Sequence, residues 1–224
     1  MTPPVFVVVG HVNRGKSSIV STLTADDSVR IEATPGTTRR CREFPLRVDG
    51  RVLYTLVDTP GFERARQVLA WLRDREQSVA DRPEVVRRFL EEHEDGEAYQ
   101  EECRLLRPIV DGGAILYVVD GSVPFSPKYE AEMEILRWTG RPRMALVNPI
   151  GPRDHVDEWQ QVLDQYFRLV RVFNAHGADF ADRLRLLRAL REIDEAMAPA
   201  IDAAIDALRV DRDGRLERSA RLIA

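Results

Sequence analysis

Cysteine and long apolar runs are scarce in this sequence of 224 residues. Its two cysteines, Cys41 and Cys103, have no metal-ligand spacing and cannot form a disulfide framework, so we expect reduced thiols in a cytoplasmic protein. The apolar run at residues 5–9 is far too short for a membrane span or a signal-peptide core. Because the formal net charge is only −4, the composition gives no direct indication of a nucleic-acid or membrane partner.

Lysine is the third scarce residue type. Among the 33 basic residues, only Lys16 and Lys128 are lysines. A lysine ammonium is a compact point charge, whereas an arginine guanidinium is a planar fork. In a chain that uses arginine almost everywhere, a lysine therefore indicates a position where a compact ammonium fits and a planar guanidinium does not.

Short β-rich runs alternate with longer amphipathic stretches along the chain. This pattern predicts a three-layer α/β fold, in which helices cover both faces of a mostly parallel sheet. Asp49 and Gly50 lie between two strand-like runs and predict a tight hairpin, so one of the six strands should be antiparallel. The six predicted strands are residues 5–9, 42–48, 52–57, 114–119, 144–147 and 169–173.

Two helical segments extend this pattern. The stretch between Gly61 and Ala114 is about twice as long as a single strand-to-strand connection needs, and it predicts a helical insertion at about residues 63–110. From about residue 179 the chain is predicted to be helical to its end, with an interruption at Pro199. We expect a main domain at residues 1–192 and a helical C-terminal extension at residues 193–224.

Residues 10–17 match the phosphate-loop pattern G-x-x-x-x-G-K-[ST], directly after a predicted strand and before a predicted helix. The glycines allow backbone N–H groups to point at phosphates, and the helix N-terminus adds a favourable field. Lys16 should place its charge on the β- and γ-phosphates, and the Ser17 hydroxyl should bind Mg²⁺. The predicted nucleotide-binding residues of this segment are Gly10, Asn13, Arg14, Gly15, Lys16, Ser17 and Ser18.

Two further motifs stand at the spacing that a phosphate loop requires. Asp58 to Gly61 read Asp-Thr-Pro-Gly at the end of the third strand, where the Asp58 carboxylate should hold a magnesium water and the Gly61 N–H should sense the γ-phosphate. Between the loop and this motif, residues 34–39 contain Thr37 and Thr38. A threonine here can complete the magnesium shell when a γ-phosphate is present, so this segment is a candidate order–disorder switch.

With these three motifs in order, the chain resembles the translation-factor-related GTPases and, among them, the Era-like group. The resemblance rests on Asn-x-Gly-Lys-Ser at 13–17, Pro-Gly-Thr-Thr-Arg at 35–39 and Asp-Thr-Pro-Gly at 58–61, and it covers roughly residues 5–175. It is strongest with bacterial members that have a helical insertion, a degenerate base motif and, in longer members, a C-terminal domain of unknown function. It implies that this chain is mainly the GTPase part, with the partner-specific region missing or truncated.

The resemblance also implies a set of roles. Lys16, Thr38 and Gly61 match catalytic positions of the group, and Ser17, Thr38 and Asp58 match its magnesium positions. Mg²⁺ is therefore the expected cofactor.

Asn13 matches an asparagine that in several relatives helps to hold K⁺ against the phosphates, so K⁺ is a second possible cofactor. Phe62 stands where other GTPases place a water-orienting glutamine. This implies slow intrinsic hydrolysis and activation by K⁺, by homodimerisation or by an activating protein partner.

The base-recognition motif is incomplete. Asn148 follows the fifth strand where the group has Asn-Lys-x-Asp, but Pro149 replaces the lysine and Gly151 the aspartate that discriminates guanine from adenine. Asp154 can reach a base only if its loop folds back. After the last strand, the Ala175 N–H is expected to meet the guanine carbonyl oxygen.

The sequence thus predicts a GTPase that binds GTP and GDP with magnesium and hydrolyses GTP slowly as a molecular switch. Two alternatives stay open at this point. One is an NTPase or ATPase with relaxed base specificity, which the missing aspartate favours. The other is a nucleotide-gated interaction module with negligible turnover, which Phe62 and the long insertion favour.

Overall fold

The computed structural model describes residues 3–11, 16–24 and 41–223. The strands are β1 (Val5–Val9), β2 (Arg42–Val48), β3 (Arg51–Asp58), β4 (Ala114–Val119), β5 (Arg143–Val147) and β6 (Leu169–Val172). The helices are α1 (Lys16–Thr24), α2 (Ala65–Arg75), α3 (Arg82–His93), α4 (Gln100–Val110), α5 (Lys128–Trp138), α6 (Val156–Leu163), α7 (Phe180–Arg191) and α8 (Ala198–Ile223). Short 3₁₀ turns lie at Val79–Asp81 and Glu195–Met197. None of the helices in these ranges combines the length and apolarity that a membrane crossing needs.

The six strands form one sheet in the order β2-β3-β1-β4-β5-β6. β2 pairs antiparallel with β3, and the other four pairings are parallel. Asp49 and Gly50 turn the hairpin with φ angles of 50° and 78°, the left-handed region that such a two-residue turn requires. The predicted mixed sheet is therefore confirmed, with strand ends shifted by at most one residue.

Alternate residues of the central strands face two separate cores. In β4, Ile115 and Tyr117 belong to the core that includes α2 to α6, whereas Leu116 and Val118 belong to the core that includes α1, α7 and α8. All four side chains are fully buried. A strand buried on both faces reads as a continuous apolar run, which is why β1 and β4 were recognisable without alternation.

The predicted helical insertion forms α2, α3 and α4 and lies in the same layer as α5 and α6. It is interrupted before α3 and between α3 and α4. Pro83 lies in the first turn of α3, and Gly96 lies in the turn between α3 and α4. Since its apolar residues join the core on that face of the sheet, the insertion is part of the domain and not a loosely attached appendage.

The C-terminal region is helical, and its interruption lies at residues 192–197. Pro199 is the second residue of α8, in the first turn of a helix, where its missing N–H is not needed. Ile201, Ile205 and Leu208 of α8 are buried in the core beside α1 and α7. The expected C-terminal extension thus shares a core with the sheet.

The packing of the insertion generates a stability prediction. Phe89 is fully buried in α3, where its ring contacts Trp71, His93 and Tyr99. Phe89→Ala should lower the free energy of unfolding by about 3–5 kcal/mol, because it removes buried apolar area and leaves a cavity. Val79 is 70% exposed, and Val79→Ala should change the free energy of unfolding by less than about 0.5 kcal/mol. Chemical denaturation followed by circular dichroism measures both, and equal effects would contradict the packing.

Candidate functional site

The carboxyl ends of the five mutually parallel strands meet at one edge of the sheet. β1 lies between β3 and β4, so the connections from β1 run to strands on both of its sides. Ligands of open α/β sheets bind at such switch points in the strand order. The residues at or just after these strand ends are Gly10, Asp58, Asp120, Asn148 and Ala175. The fold therefore brings the separate sequence motifs to one place.

Gly10 starts the phosphate loop in a conformation that requires glycine. Its φ is 145°, and a Cβ at this position would lie 2.3 Å from the Val118 carbonyl oxygen of β4. The loop can leave the sheet only because this side chain is absent. Asn13, Arg14 and Gly15, predicted for the same loop, lie outside the described residues.

Lys16 is the first residue of α1, and its side chain is 8% exposed. Its ammonium donates to the carbonyl oxygens of Gly10, at 3.0 Å, and His11, at 3.1 Å. Burial lowers the pKa of Lys16, and the nearby carboxyls of Asp58 and Glu132 act in the opposite direction. A buried ammonium that donates to these two carbonyl oxygens is well placed to gain from an arriving phosphate.

Ser17 and Asp58, predicted to bind magnesium, contact each other. The Ser17 hydroxyl donates to Asp58 Oδ2 at 3.0 Å, while Oδ1 of the same carboxylate is buried and has no hydrogen-bond partner among the described residues. Burial raises the pKa of Asp58, opposed by the Ser17 hydrogen bond and by Lys16. Ser18 is exposed in the same first turn of α1.

This pair fits a magnesium ion that is completed by phosphate oxygens and water. Mg²⁺ prefers oxygen ligands and is usually held by one or two protein groups together with substrate phosphates. Within residues 3–11, 16–24 and 41–223, no group of three or more His, Cys, Asp or Glu side chains could hold a metal by itself. The predicted third ligand, Thr38, and its neighbour Thr37 lie outside those ranges.

Gly61 and Phe62 follow Asp58 into the core. Gly61 is buried, and the Phe62 side chain is 2% exposed and packs among apolar residues of α2 to α4. Thr59 ties this segment to β1, because its hydroxyl donates to the Val8 carbonyl oxygen at 2.8 Å. A buried phenyl ring has no polar atom with which to orient water.

The two predicted base-recognition residues contact each other. Asn148 is 3% exposed, and its side-chain Oδ1 accepts the Ala175 N–H at 3.1 Å. The Ala175 carbonyl oxygen accepts the Thr22 hydroxyl of α1 at 2.8 Å. The N–H that was expected to meet a guanine carbonyl is therefore engaged by Asn148, and a base contact there would have to replace or share this bond.

Asp120, which the motif analysis did not single out, organises the loop after Asn148. One oxygen of its buried carboxylate accepts from the Ser122 N–H at 2.9 Å, the Ser122 hydroxyl at 2.5 Å and the Ile150 N–H at 3.4 Å. Asp154 is exposed in the same loop. A carboxylate directly after a buried parallel strand was the available sequence signal for Asp120.

Glu132 of α5 is a second unrecognised residue, lying beneath the phosphate loop. It is 2% exposed and accepts from the Tyr117 hydroxyl at 2.9 Å, and its other oxygen lies 3.1 Å from Nδ1 of His11. Burial, followed by the charge of Glu132, raises the pKa of Tyr117 well above its usual value. The His11 ring also stands edge-on to Tyr129, so the first residues of the loop are anchored to α5.

The fold and this site define a phosphate-loop nucleotide-binding α/β protein. A family model described as 50S ribosome-binding GTPase matches residues 5–149. The chain belongs to this family. A second model, described as a domain of unknown function (DUF3482), matches residues 160–224 and so begins within α6, before the last strand.

Similar curated proteins are GTPases. GTPase Der from Dechloromonas aromatica is 25% identical over 199 residues, which cover 87% of this chain and 38% of that protein. GTPase Der from Nitrosospira multiformis is 27% identical over 205 residues, which cover 91% and 37%. The tRNA modification GTPase MnmE from Pseudothermotoga lettingae is 24% identical over 151 residues, which cover 67% and 27%. The chain thus spans well under half the length of these relatives.

Two solved Era structures share the fold. A variant of Aquifex aeolicus Era bound to GDP·AlF4⁻ matches with a TM-score of 0.52 and 17% identity, covering 86% of this chain and 57% of that one. Era in complex with MgGDPNP and nucleotides 1506–1542 of 16S ribosomal RNA matches with a TM-score of 0.54 and 16% identity, again covering 86% and 57%. The three-layer GTPase fold predicted from the sequence is therefore confirmed.

The burial of Asp58 generates a second prediction, in which binding and stability change in opposite directions. Asp58→Asn should weaken Mg²⁺ binding by the nucleotide complex about tenfold or more, because the amide carries no charge. The same change should raise the thermal midpoint of the nucleotide-free protein, because burial disfavours the charged form of this carboxyl. Magnesium titration measures the first effect, and differential scanning calorimetry measures the second. A thermal midpoint that falls together with the Mg²⁺ affinity would refute the idea that Asp58 serves binding at the expense of stability.

Proposed function

We propose that this protein binds Mg·GTP, hydrolyses it slowly and acts as a molecular switch between its GTP and GDP states. The observation that carries this proposal is the arrangement of Lys16, Ser17 and Asp58. These three residues come from two motifs more than forty positions apart, and they meet at the carboxyl end of β1. Each has the polar group that its predicted role requires.

The described residues suggest catalysis by positioning and charge neutralisation. Lys16 gives up carbonyl contacts with Gly10 and His11 for phosphate oxygens, which bear full charge and bind an ammonium more strongly. Ser17 and Asp58 would hold Mg²⁺, which supplies charge neutralisation on the β- and γ-phosphate oxygens when bound. Thr38 and the Gly61 N–H are the further catalytic groups that we propose for the γ-phosphate.

The slow rate is proposed because of Phe62. Its side chain is buried in the core, so the position after Gly61 provides no group that orients the attacking water. We propose that a K⁺ ion held by Asn13, a second copy of the chain or an activating protein supplies the missing stabilisation.

Phosphate release in K⁺ and in Na⁺ tests this proposal. Turnover should be about tenfold or more faster in K⁺, because a desolvated K⁺ beside the phosphates acts as an arginine finger does. Asn13→Ala should remove the difference between the ions while triphosphate binding is retained. Lys16→Ala is the control for the phosphate loop and should weaken triphosphate binding about a hundredfold.

Each outcome separates the candidate functions. Equal slow turnover in both ions would overturn the role of K⁺ and leave the GTPase proposal intact. Tight binding without turnover in either ion would support the nucleotide-gated interaction module. Unchanged triphosphate binding by Lys16→Ala would refute the phosphate-loop assignment itself.

Base selectivity forms a separate part of the proposal. We propose that Asn148 and Ala175 retain a base pocket, in which guanine is preferred only weakly because Gly151 lacks a carboxylate. Gly151 is exposed, and its φ is not in the left-handed region. Among the described residues, a Cβ there would meet only Ser122, at 3.5 and 3.6 Å. The loop can therefore accept a side chain at this position without rearrangement.

Gly151→Asp should accordingly raise the ratio of GTP to ATP affinity at least about tenfold, because its carboxylate can pair with the guanine N–H groups. Isothermal titration calorimetry with both nucleotides measures the ratio. Gly151→Ala controls for the added Cβ and should leave the ratio unchanged. Equal affinities for GTP and ATP in the parent would favour the NTPase with relaxed base choice, and no change in Gly151→Asp would show that residue 151 does not face the base.

A further inference from the structure

Helix α4 of the insertion contacts the backbone that follows the Asp-Thr-Pro-Gly motif. Glu102 of α4 is 1% exposed, and its Oε1 accepts the N–H groups of Glu63 at 2.9 Å and Arg64 at 2.5 Å. These two residues stand immediately after Gly61 and Phe62. One buried side chain of the insertion thus fixes the segment that carries the Gly61 N–H.

This contact supplies an acceptor that the start of α2 does not have. Arg64 is the N-cap residue of α2, and its side chain makes no capping hydrogen bond in the described structure. The first turn of α2 contains no acidic residue either. A carboxylate at a helix N-terminus satisfies free N–H groups and interacts favourably with the helix dipole, and here it comes from a residue 38 positions away.

Other contacts hold the same two helices together. The Arg64 guanidinium lies 5.9 Å from the centre of the Tyr99 ring, and Tyr99 is the N-cap residue of α4. Phe62 and the α4 residues Leu105 and Leu106 are buried in one core. The position of residues 61–64 is therefore set from α4 by a hydrogen-bonded carboxylate, a ring contact and apolar packing.

Helix α4 also reaches the other side of the site. The Cys41 thiol donates to the Arg104 carbonyl oxygen at 3.1 Å. Cys41 is the residue before β2, and Asp58 pairs with Arg42 at the start of that strand. Glu102 of α4 thus contacts the chain after β3, and Arg104 of the same helix contacts the chain next to β2.

We propose that Glu102 is a positioning residue for hydrolysis, through which helix α4 sets the backbone at residues 61–64. This inference rests on the GTPase function proposed above. Glu102 is buried and accepts hydrogen bonds from the backbone of residues 63 and 64, so it should act through the segment that it holds. A change at α4 should therefore alter turnover more than it alters nucleotide affinity.

The test combines hydrogen exchange with kinetics on the full chain. In Glu102→Ala, amide exchange in the peptide that contains residues 61–65 should be at least about tenfold faster than in the parent, because two hydrogen bonds to a buried acceptor are lost. The turnover number for GTP should fall about tenfold with KM changed less than about twofold, as expected for an interaction that matters only in the transition state.

Conservative variants separate positioning from general destabilisation. Glu102→Gln keeps the accepting oxygen and should restore most of the protection and turnover, whereas Glu102→Asp is one methylene shorter and should behave like Glu102→Ala. Glu101→Gln is the matched control, because Glu101 pairs with Arg104 on the same helix, whereas the N–H groups of residues 63 and 64 donate to Glu102. Exchange in β4 reports folding, and Glu102→Asp replaces Glu102→Ala if the latter does not fold.

The outcomes are distinct from those of the proposed function. Exchange at residues 61–65 that is equal in Glu102→Ala, Glu101→Gln and the parent would overturn the inference. So would a loss of affinity as large as the loss of turnover. If the parent failed to bind nucleotide, the GTPase proposal would fall, and exchange in the nucleotide-free protein would still show whether Glu102 holds this segment.

Discussion

The parallel pairing of β1 with both β3 and β4 is the constraint on which the rest of this structure depends. It places the end of β1 between two other strand ends, and Gly10 can pass the Val118 carbonyl only because it has no side chain. After Gly10 the chain reaches α1, which begins at Lys16 and Ser17 beside Asp58. The remaining polar groups of the site are arranged around that junction.

Lys16 and Asp58 are buried at the site, and burying these ionisable groups lowers the stability of the protein. Burial lowers the pKa of Lys16 and raises the pKa of Asp58, because the surroundings of each group disfavour its charged form. A phosphate and a divalent cation would each relieve one of these penalties. Perturbed pKa values of this kind are expected at functional sites, where contacts with a charged ligand take the place of contacts with water.

The helical insertion is built into the domain on the same side of the sheet as α5 and α6. Its apolar residues complete one core, and Glu102 carries that packing directly to the segment behind Gly61. Phe62 has a related role, because its burial ties the same segment to the core. The insertion is therefore in direct contact with the segment that follows the Asp-Thr-Pro-Gly motif.

Local pattern alone predicted the strands, the hairpin at Asp49 and Gly50 and the helical insertion, and it singled out the residues of the phosphate-loop and Asp-Thr-Pro-Gly motifs. Such features depend on neighbours a few positions apart, so periodicity and turn chemistry are sufficient to predict them. The sequence analysis did not single out Asp120, Glu132 and Glu102, since none of them belongs to a recognised motif and an isolated acid on a helix is typical of an exposed surface. Their partners are up to 121 positions away, and only the tertiary structure brings such distant groups within hydrogen-bonding distance.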